Sequence, residues 1–301
     1  DVGGCRIERN RLNQTLFAIY QALAEGRPIP LERAPSYREH IAWLARQDMA
    51  KAEAWWRAQL AGFRAPTPLP GDRGAPADGA AQEMEERELV LSLETTAALQ
   101  RLARQRQLTL GTIVQASWAL VLGRHSGEQD VVIGVTVAGR PPDLAGVERM
   151  IGLFINSLPV RIRLRPDAQL VPWLQEIQAQ QLEMRRYEYS PLVQVQGFSD
   201  VPRGTPLFES LLVFESYPVD DSLRDRAVGL DIRDFHATER TNYPLAATIV
   251  PGERLRITLE FDAPRFDAAA IEGLLARWQT VLEGIAARPE QRLRSLSVLT
   301  E

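Results

Sequence analysis

Two apolar segments separated by a short polar stretch give the strongest hydrophobic pattern in the chain. β-Branched residues dominate positions 131–137, which is typical of a strand buried on both faces. A Gly-Arg-Pro-Pro run at 139–142 ends this segment, because proline cannot donate to a strand ladder. Apolar positions resume across 154–164. The pattern therefore predicts a strand, then a loop or short helix, and then a second strand.

Polar residues interrupt the second of these strands. Asn156 and Ser157 lie near its start, and Arg161 and Arg163 alternate with its apolar residues. Polar side chains in an apolar strand must find partners or face a cavity. Two interpretations stay open from the pattern alone. Either the polar face meets solvent, or Asn156 and Arg161 line a channel.

Periodicity predicts the remaining elements. Apolar residues at helical spacing predict helices at 11–25, 37–47, 50–60, 94–107, 109–125, 170–187 and 267–287. Shorter apolar runs predict strands at 89–93, 207–217, 230–236, 243–250 and 255–261, the last two forming a hairpin. Thr95 or Thr96 is the expected N-cap of one helix, and Asp267 of the last. This alternation indicates a layered α/β sandwich built on a mixed sheet with flanking helices.

One strand carries a small polar residue among large apolar ones. Ser210 shares a face with Phe208, Leu212 and Phe214 in the predicted strand 207–217. The pattern favours either close packing at Ser210 or a place in a cavity wall.

Composition and charge exclude several classes of protein. The 301 residues are 45% hydrophobic and 25% charged, with a net charge of -4, which is ordinary globular composition. No basic run indicates nucleic-acid binding, and no apolar run approaches the roughly 20 residues of a membrane span. The first ten residues lack the apolar core of a signal peptide. Cys5 is the single cysteine, so we expect no internal disulfide and a cytoplasmic location.

Candidate chemistry is sparse in the residues themselves. The three histidines, His40, His125 and His236, are scattered, and packing or surface roles suffice for each. We see no Cys/His cluster for a metal and no glycine-rich phosphate loop. Residues 63–86 are rich in Pro, Gly and Ala, which predicts a surface linker. The charge cluster at 83–88 is expected to form a solvated face.

The segment at 139–161 is the first to resemble a known family. It reads GRPPDLAGVERMIGLFINSLPVR and resembles a signature of the condensation domains of nonribosomal peptide synthetases. Further blocks that are similar to this family lie at 37–43, 55–62, 191–192, 206–215 and 241–245, and 296–301 resembles the end of such a domain.

The resemblance implies a fold and a domain organisation. The family has two halves, each similar to chloramphenicol acetyltransferase. Residues 87–301 would form the C-terminal half, residues 1–62 the tail of the N-terminal half with its crossover helices, and 63–86 the linker.

The resemblance also implies an activity and partners. The family forms amide bonds in antibiotic biosynthesis, joining acyl or peptidyl and aminoacyl thioesters. Phosphopantetheine carried by peptidyl carrier proteins holds both substrates, so no cofactor is expected to bind this chain directly. An adjacent adenylation domain is a further expected partner, whereas nucleic acid and membrane are not.

The family's catalytic signature, His-His-x-x-x-Asp-Gly, is not among the 301 residues. None of the three histidines is next to another, so we assign no catalytic residue and expect the chain alone to be inactive. A non-catalytic element for carrier docking or scaffolding is the alternative. A stand-alone CoA-dependent acyltransferase is a third, and it too requires a His-x-x-x-Asp motif.

Other positions acquire roles through the resemblance. Arg161 would pair with the aspartate of the catalytic motif, and Asn156 would face the floor of a substrate tunnel. Gly139 and Arg140 would begin the loop that floors this tunnel. Tyr243 lies in the block near the latch between the halves, and Ser157 and Ser210 would be tunnel or structural residues.

Overall fold

The computed structural model describes residues 6–29, 34–74, 82–215 and 241–298. They form two units. The smaller contains residues 6–29, 34–47, 138–155 and 241–242, and the larger contains 48–74, 82–137, 156–215 and 243–298.

A six-stranded mixed sheet is the framework of the larger unit. Its strands are β1 (Met84–Val90), β2 (Asp130–Val137), β3 (Asn156–Arg163), β4 (Ser210–Phe214), β5 (Leu245–Val250) and β6 (Arg256–Asp262). The order across the sheet is β1-β6-β5-β4-β2-β3. β4 runs parallel to β2 and β5, and the other neighbours are antiparallel. The predicted strand–loop–strand and hairpin are therefore confirmed as β2 and β3, and as β5 and β6.

Eight α-helices lie in the part of the chain that the structure describes. The smaller unit has α1 (Arg6–Ala24) and α2 (Tyr37–Leu44). The larger unit has α3 (Met49–Leu60), α4 (Leu93–Gln105), α5 (Leu110–Ser126), α6 (Leu170–Met184), α7 (Leu192–Gly197) and α8 (Ala268–Ala287). Single 3-10 turns span Val147–Arg149, Arg185–Tyr187 and Leu293–Ser295.

Helix α5 lies at the centre of the core because apolar residues occupy most of its sides. Thr109 caps its N-terminus by accepting from the backbone N–H of Thr112, and Gly127 follows its C-terminus at φ 76°. Trp118 of α5 packs on Trp278 of α8 with ring centroids 4.4 Å apart. A buried indole N–H needs an acceptor, and the Trp278 indole donates to Ser117 Oγ at 2.7 Å.

The two faces of the sheet differ in chemistry. Side chains alternate between the faces along each strand, so the paired registers assign every residue to one of them. One face carries Ile133, Leu212 and Ile257, all fully buried, and helices cover it: α5 reaches it through Trp118, whose indole lies 3.4 Å from Ser210 Oγ. We call the other side the far face; it carries more polar residues, several of them half-buried.

Strand β1 forms one edge of the sheet and is mostly charged. Its sequence is MEERELV, and Glu85, Glu86 and Glu88 are exposed. We predicted a solvated stretch here and a strand at 89–93, so the strand prediction was displaced toward the C-terminus. Pairing along the whole of β6 recruits these charged residues into a strand despite their low strand propensity.

Of the two predicted helix caps, one is wrong and one is confirmed in position. The hydroxyl of Ser92, not of Thr95 or Thr96, caps α4 by accepting from the Thr95 backbone N–H at 3.0 Å. Asp267 is the N-cap residue of α8, as predicted, and its carboxylate accepts a hydrogen bond from Arg73 rather than from a backbone N–H of the helix. The predicted strand at 230–236 lies outside the described residues. No helix in the described ranges has the length and apolarity to cross a membrane.

Candidate functional site

Arg161 is the most densely bonded of the predicted site residues. Its Nε and Nη2 donate to the two carboxylate oxygens of Asp130 at 2.8 and 2.6 Å. Its Nη1 donates to the carbonyl oxygens of Gln59 and Ala61 at 3.0 and 2.8 Å. The guanidinium thus joins β3, the start of β2 and the C-terminal end of α3.

The strand register explains this pairing. Arg161 lies opposite Val132, and Asp130 is two residues from Val132, so both charged side chains project from the far face. The resemblance implied an aspartate of the catalytic motif as the partner. Within the larger unit, the guanidinium is bonded to Asp130 and to two backbone carbonyls, and the implied pairing stays a prediction.

Asn156 fixes a turn that follows α6. Its side-chain Nδ2 donates to the carbonyl oxygens of Glu188 and Ser190 at 2.9 and 2.7 Å. Ser190 is fully buried, and its hydroxyl accepts from the indole of Trp56 at 3.0 Å. Burial raises the pKa of the Glu188 carboxyl, and the positive charge of Arg185 opposes this shift. Both donors of Asn156 therefore serve to position the backbone.

A row of hydroxyl side chains crosses the far face. Thr258 and Thr248 are direct partners on β6 and β5, and Ser157 and Thr136 are direct partners on β3 and β2. Val213 of β4 lies between the two pairs, since it pairs with Thr248 and follows the Val135–Leu212 pair by one residue. We call Thr258, Thr248, Thr136 and Ser157 the hydroxyl row.

Aromatic rings lie beside the hydroxyl row. Phe208 covers Gly134, where a Cβ would come within 2.1 Å of the ring, so the close approach requires glycine. Phe208 also stacks on Tyr243 with ring centroids 5.2 Å apart and planes at 20°. Burial raises the pKa of the Tyr243 phenol. Gly134 is two residues from Thr136 on the same face, which places these rings next to the row.

Gly139 and Arg140 belong to the smaller unit. Gly139 has φ 59°, and a Cβ there would lie 1.8 Å from the Phe154 carbonyl oxygen, so glycine is required. The Arg140 guanidinium lies 4.0 Å from the centre of the Phe154 ring and donates to the carbonyl oxygens of Val147 and Met150. These contacts tie the start of the loop that leads from β2 to β3 to its later residues.

His40 packs in the same unit among aromatic rings. Its ring centroid is 4.5 Å from that of Phe154 and 6.0 Å from that of Trp43, which is nearly parallel to it. The side chain is buried, and Nδ1 has no hydrogen-bond partner among the described residues. Burial and then the positive charge of Arg140 lower the pKa of the imidazole. This is the environment of a neutral packing histidine, as predicted.

The predicted site residues are thus divided. Asn156, Ser157, Arg161, Ser210 and Tyr243 lie in the larger unit, whereas Gly139 and Arg140 lie in the smaller. Ser210 is buried and lies within hydrogen-bond distance of the Trp118 indole.

Sequence reasoning missed Asp130, Thr136, Thr248, Thr258 and Phe208. Thr136 was hidden in a β-branched run, although its polarity among valines was a signal. The predicted hairpin could have shown that Thr248 and Thr258 are partners, because residues at equal distances from its turn lie opposite each other. In the described part of the chain, no three His, Cys, Asp or Glu side chains are grouped to hold a metal ion.

Comparisons with known proteins give these features a context. The profile of the Condensation domain family matches residues 10–301. A linear gramicidin synthase protein from Brevibacillus parabrevis is 45% identical over 287 residues, which is 95% of this chain and 6% of that protein. The chain therefore spans a small fraction of this relative.

Two solved structures share the fold. The X-domain from teicoplanin biosynthesis superposes with a TM-score of 0.80 at 24% identity, covering 98% of this chain and 70% of that one. The first condensation domain of the CDA synthetase gives a TM-score of 0.76 at 21% identity, covering 98% and 64%. Together with the family match over nearly the whole sequence, these likenesses lead to one conclusion: the chain belongs to the condensation domain family.

Proposed function

We propose that this chain takes part in amide bond formation between two carrier-bound thioesters on a nonribosomal peptide synthetase. The amine of an aminoacyl thioester attacks the carbonyl carbon of an acyl or peptidyl thioester. A C–N bond forms, the C–S bond breaks, and the proton lost by the amine is balanced by protonation of the leaving thiolate. The match of residues 10–301 to the condensation domain family carries this proposal.

In this proposal the described residues bind and orient the substrates and do not move protons. Asn156 and Arg161 hold the backbone around β3 through hydrogen bonds to Asp130 and to four backbone carbonyls. The far face supplies neutral hydroxyls that suit an amide-bearing substrate. The partners are peptidyl carrier proteins that present phosphopantetheine thioesters, next to an adenylation domain.

The proton transfer requires the His-His-x-x-x-Asp-Gly motif, which the 301 residues do not contain. We therefore propose that the chain alone is inactive and works with a segment that supplies this motif. The test compares the 301-residue chain with a version joined to such a segment, each supplied with two loaded carriers. Amide product from the joined protein supports the proposal, and product from the chain alone above the no-protein rate contradicts its inactivity.

A second candidate is a non-catalytic domain that docks a partner. A structure of the teicoplanin X-domain, of the same fold, is a complex with the protein OxyB, and this likeness favours the second candidate. The same experiment separates the two functions. A joined protein that binds loaded carriers but forms no amide favours docking.

A further inference from the structure

Residues 63–74 follow α3 and reach the turn between β6 and α8 without forming a helix or a strand. We call these residues the strap. Phe63 and Leu69 are its buried apolar side chains. Polar contacts attach the strap at two places, around Thr67 and around Asp72, and both places lie in the larger unit.

Thr67 attaches the strap to strand β2. Its buried hydroxyl accepts a hydrogen bond from the Val132 backbone N–H at 2.9 Å and donates one to the Val132 carbonyl oxygen at 3.3 Å. The ladder between β2 and β4 contains only Gly134 and Val135. The Thr67 side chain therefore takes the place of a strand partner for the backbone of Val132.

Three charged side chains attach the other end of the strap, and we call Asp72, Arg265 and Glu209 the clasp. Arg265 donates to both carboxylate oxygens of Asp72, with an Nε–Oδ1 distance of 3.0 Å, and its Nη2 donates to Glu209 at 3.1 Å. These side chains are 12%, 16% and 24% exposed for Arg265, Asp72 and Glu209. Removing the guanidinium would leave two poorly solvated carboxylates without their cation, which is unfavourable.

The stretch between the two attachments is stiff. Pro66, Pro68 and Pro70 lie on either side of Thr67 and just before the clasp. Proline has no backbone N–H and a fixed φ, so this stretch cannot add a ladder to the sheet and bends little. A stiff connection transmits a displacement at one end to the other, so the contacts at Thr67 and at the clasp should break together.

We propose that the strap opens and closes as one segment on a folded sheet, with Arg265 as the residue that holds it closed. Segments that are attached by few backbone hydrogen bonds open at a lower free-energy cost than the whole fold. At the clasp, one backbone hydrogen bond, from the Arg73 N–H to the Arg265 carbonyl oxygen at 3.0 Å, joins the strap to the turn after β6. Opening would uncover the backbone of Val132 and the side chain of Leu69. This inference does not depend on the proposed function.

The test is residue-resolved hydrogen exchange, measured by NMR on the 301-residue chain. The Val132 N–H reports the Thr67 end, and the Arg73 N–H reports the clasp end. Each variant is assessed at the end where it removes no contact. Arg265→Met should speed exchange of the Val132 N–H about tenfold or more, and Thr67→Val should do the same for the Arg73 N–H.

Two matched substitutions serve as controls. Arg256→Met breaks an exposed ion pair between β6 and Glu88, and Thr280→Val removes a hydroxyl that bonds Ala276 within α8. Neither contact involves the strap, so both variants should leave the exchange of the two reporter amides unchanged. Asp72→Asn keeps the pair between Arg265 and Glu209, and it replaces Arg265→Met if that variant does not fold.

The amide of Ile133, which pairs with Val160 on β3, separates local opening from unfolding of the sheet. Faster exchange at the opposite end of the strap, with Ile133 as slow as in the unmodified chain, supports the inference. Faster exchange only at the altered end shows that the two attachments are independent and overturns it. An equal acceleration at Ile133 shows that the whole sheet unfolds, which also overturns it.

Discussion

Arg161 and Asp130 form a two-pronged ion pair across β2 and β3, with Nε–Oδ1 and Nη2–Oδ2 distances of 2.8 and 2.6 Å. The Arg161 side chain is only 7% exposed, whereas that of Asp130 is 37% exposed. The planar guanidinium matches the carboxylate with two parallel hydrogen bonds, which lysine cannot reproduce.

Arg161→Met should therefore destabilise the larger unit by about 3 kcal/mol, since it leaves Asp130 and two carbonyl oxygens without a donor. Urea unfolding measures the effect. Arg163→Met, on the same strand but exposed, is the matched control and should change stability by about 0.5 kcal/mol or less. Equal stability of the two variants would show that the pair contributes nothing.

The two hydrogen bonds that Asn156 donates lead to a second prediction. Asn156→Asp replaces the donors with a carboxylate that faces the carbonyl oxygens of Glu188 and Ser190. We expect a loss of about 2–3 kcal/mol, measured by urea unfolding. Gln194→Glu makes the same amide-to-acid change at an exposed position of α7 and should be nearly neutral. If both variants unfold at the same urea concentration, the positioning role of Asn156 is wrong.

The close approach of the Phe208 ring to Gly134, which leaves no room for a side chain, leads to a third prediction. Gly134→Ala forces the Phe208 ring away and should cost about 1–3 kcal/mol, with a changed near-UV circular dichroism signal from the Phe208–Tyr243 stack. Gly273→Ala is the control: it lies in α8 with open space around its Cβ and should stabilise by about 0.5–1 kcal/mol. Effects of the same sign at both positions would contradict this account.

The environment of His40 leads to a prediction about how the stability of the fold depends on pH. Its pKa is lowered in the folded state, so the unfolded state binds the proton more readily. Above the ordinary imidazole pKa of 6.5 both states are neutral and the full stability is present. Stability should fall as the pH drops below that value, until the folded imidazole is itself protonated.

The comparison variant is His40→Phe, which keeps an aromatic ring in the cluster. The difference in unfolding free energy between the unmodified chain and this variant should change between about pH 7.5 and about pH 5, to the disadvantage of the unmodified chain. His125, whose pKa is also lowered, contributes equally to both proteins and cancels in the difference. If the difference in unfolding free energy does not depend on pH, His40 is not the cause of the loss of stability at low pH.

The sequence predicted the helices and strands more securely than it predicted which strands and side chains are paired. The β-branched run at 131–137 and the hairpin at 243–261 depend on neighbouring residues, and periodicity suffices for them. Asp130 as the partner of Arg161 depends on the antiparallel register of β2 and β3, which no local pattern fixes. Thr136 and Thr248 join one row only because β4 lies parallel between their strands, and such long-range parallel pairing leaves no mark in either segment.

Strand β1 shows the same limit of sequence-based prediction, because long-range pairing forms a strand that the local sequence does not indicate. Local propensity argued against a strand at 84–88, and pairing with β6 overrode it. The interpretation of Glu85, Glu86 and Glu88 as solvated was right, since these side chains are exposed within the strand.

The charged residues of edge strand β1 also limit self-association of the protein. An edge strand offers unpaired backbone groups to any other extended chain, and an apolar one invites sheets to join between molecules. Joining β1 to a second copy would remove from water the exposed Glu86 and the ion pairs that Glu85 and Glu88 form with Arg87 and Arg256. The charged residues of this last strand therefore disfavour the joining of sheets from two copies into an aggregate.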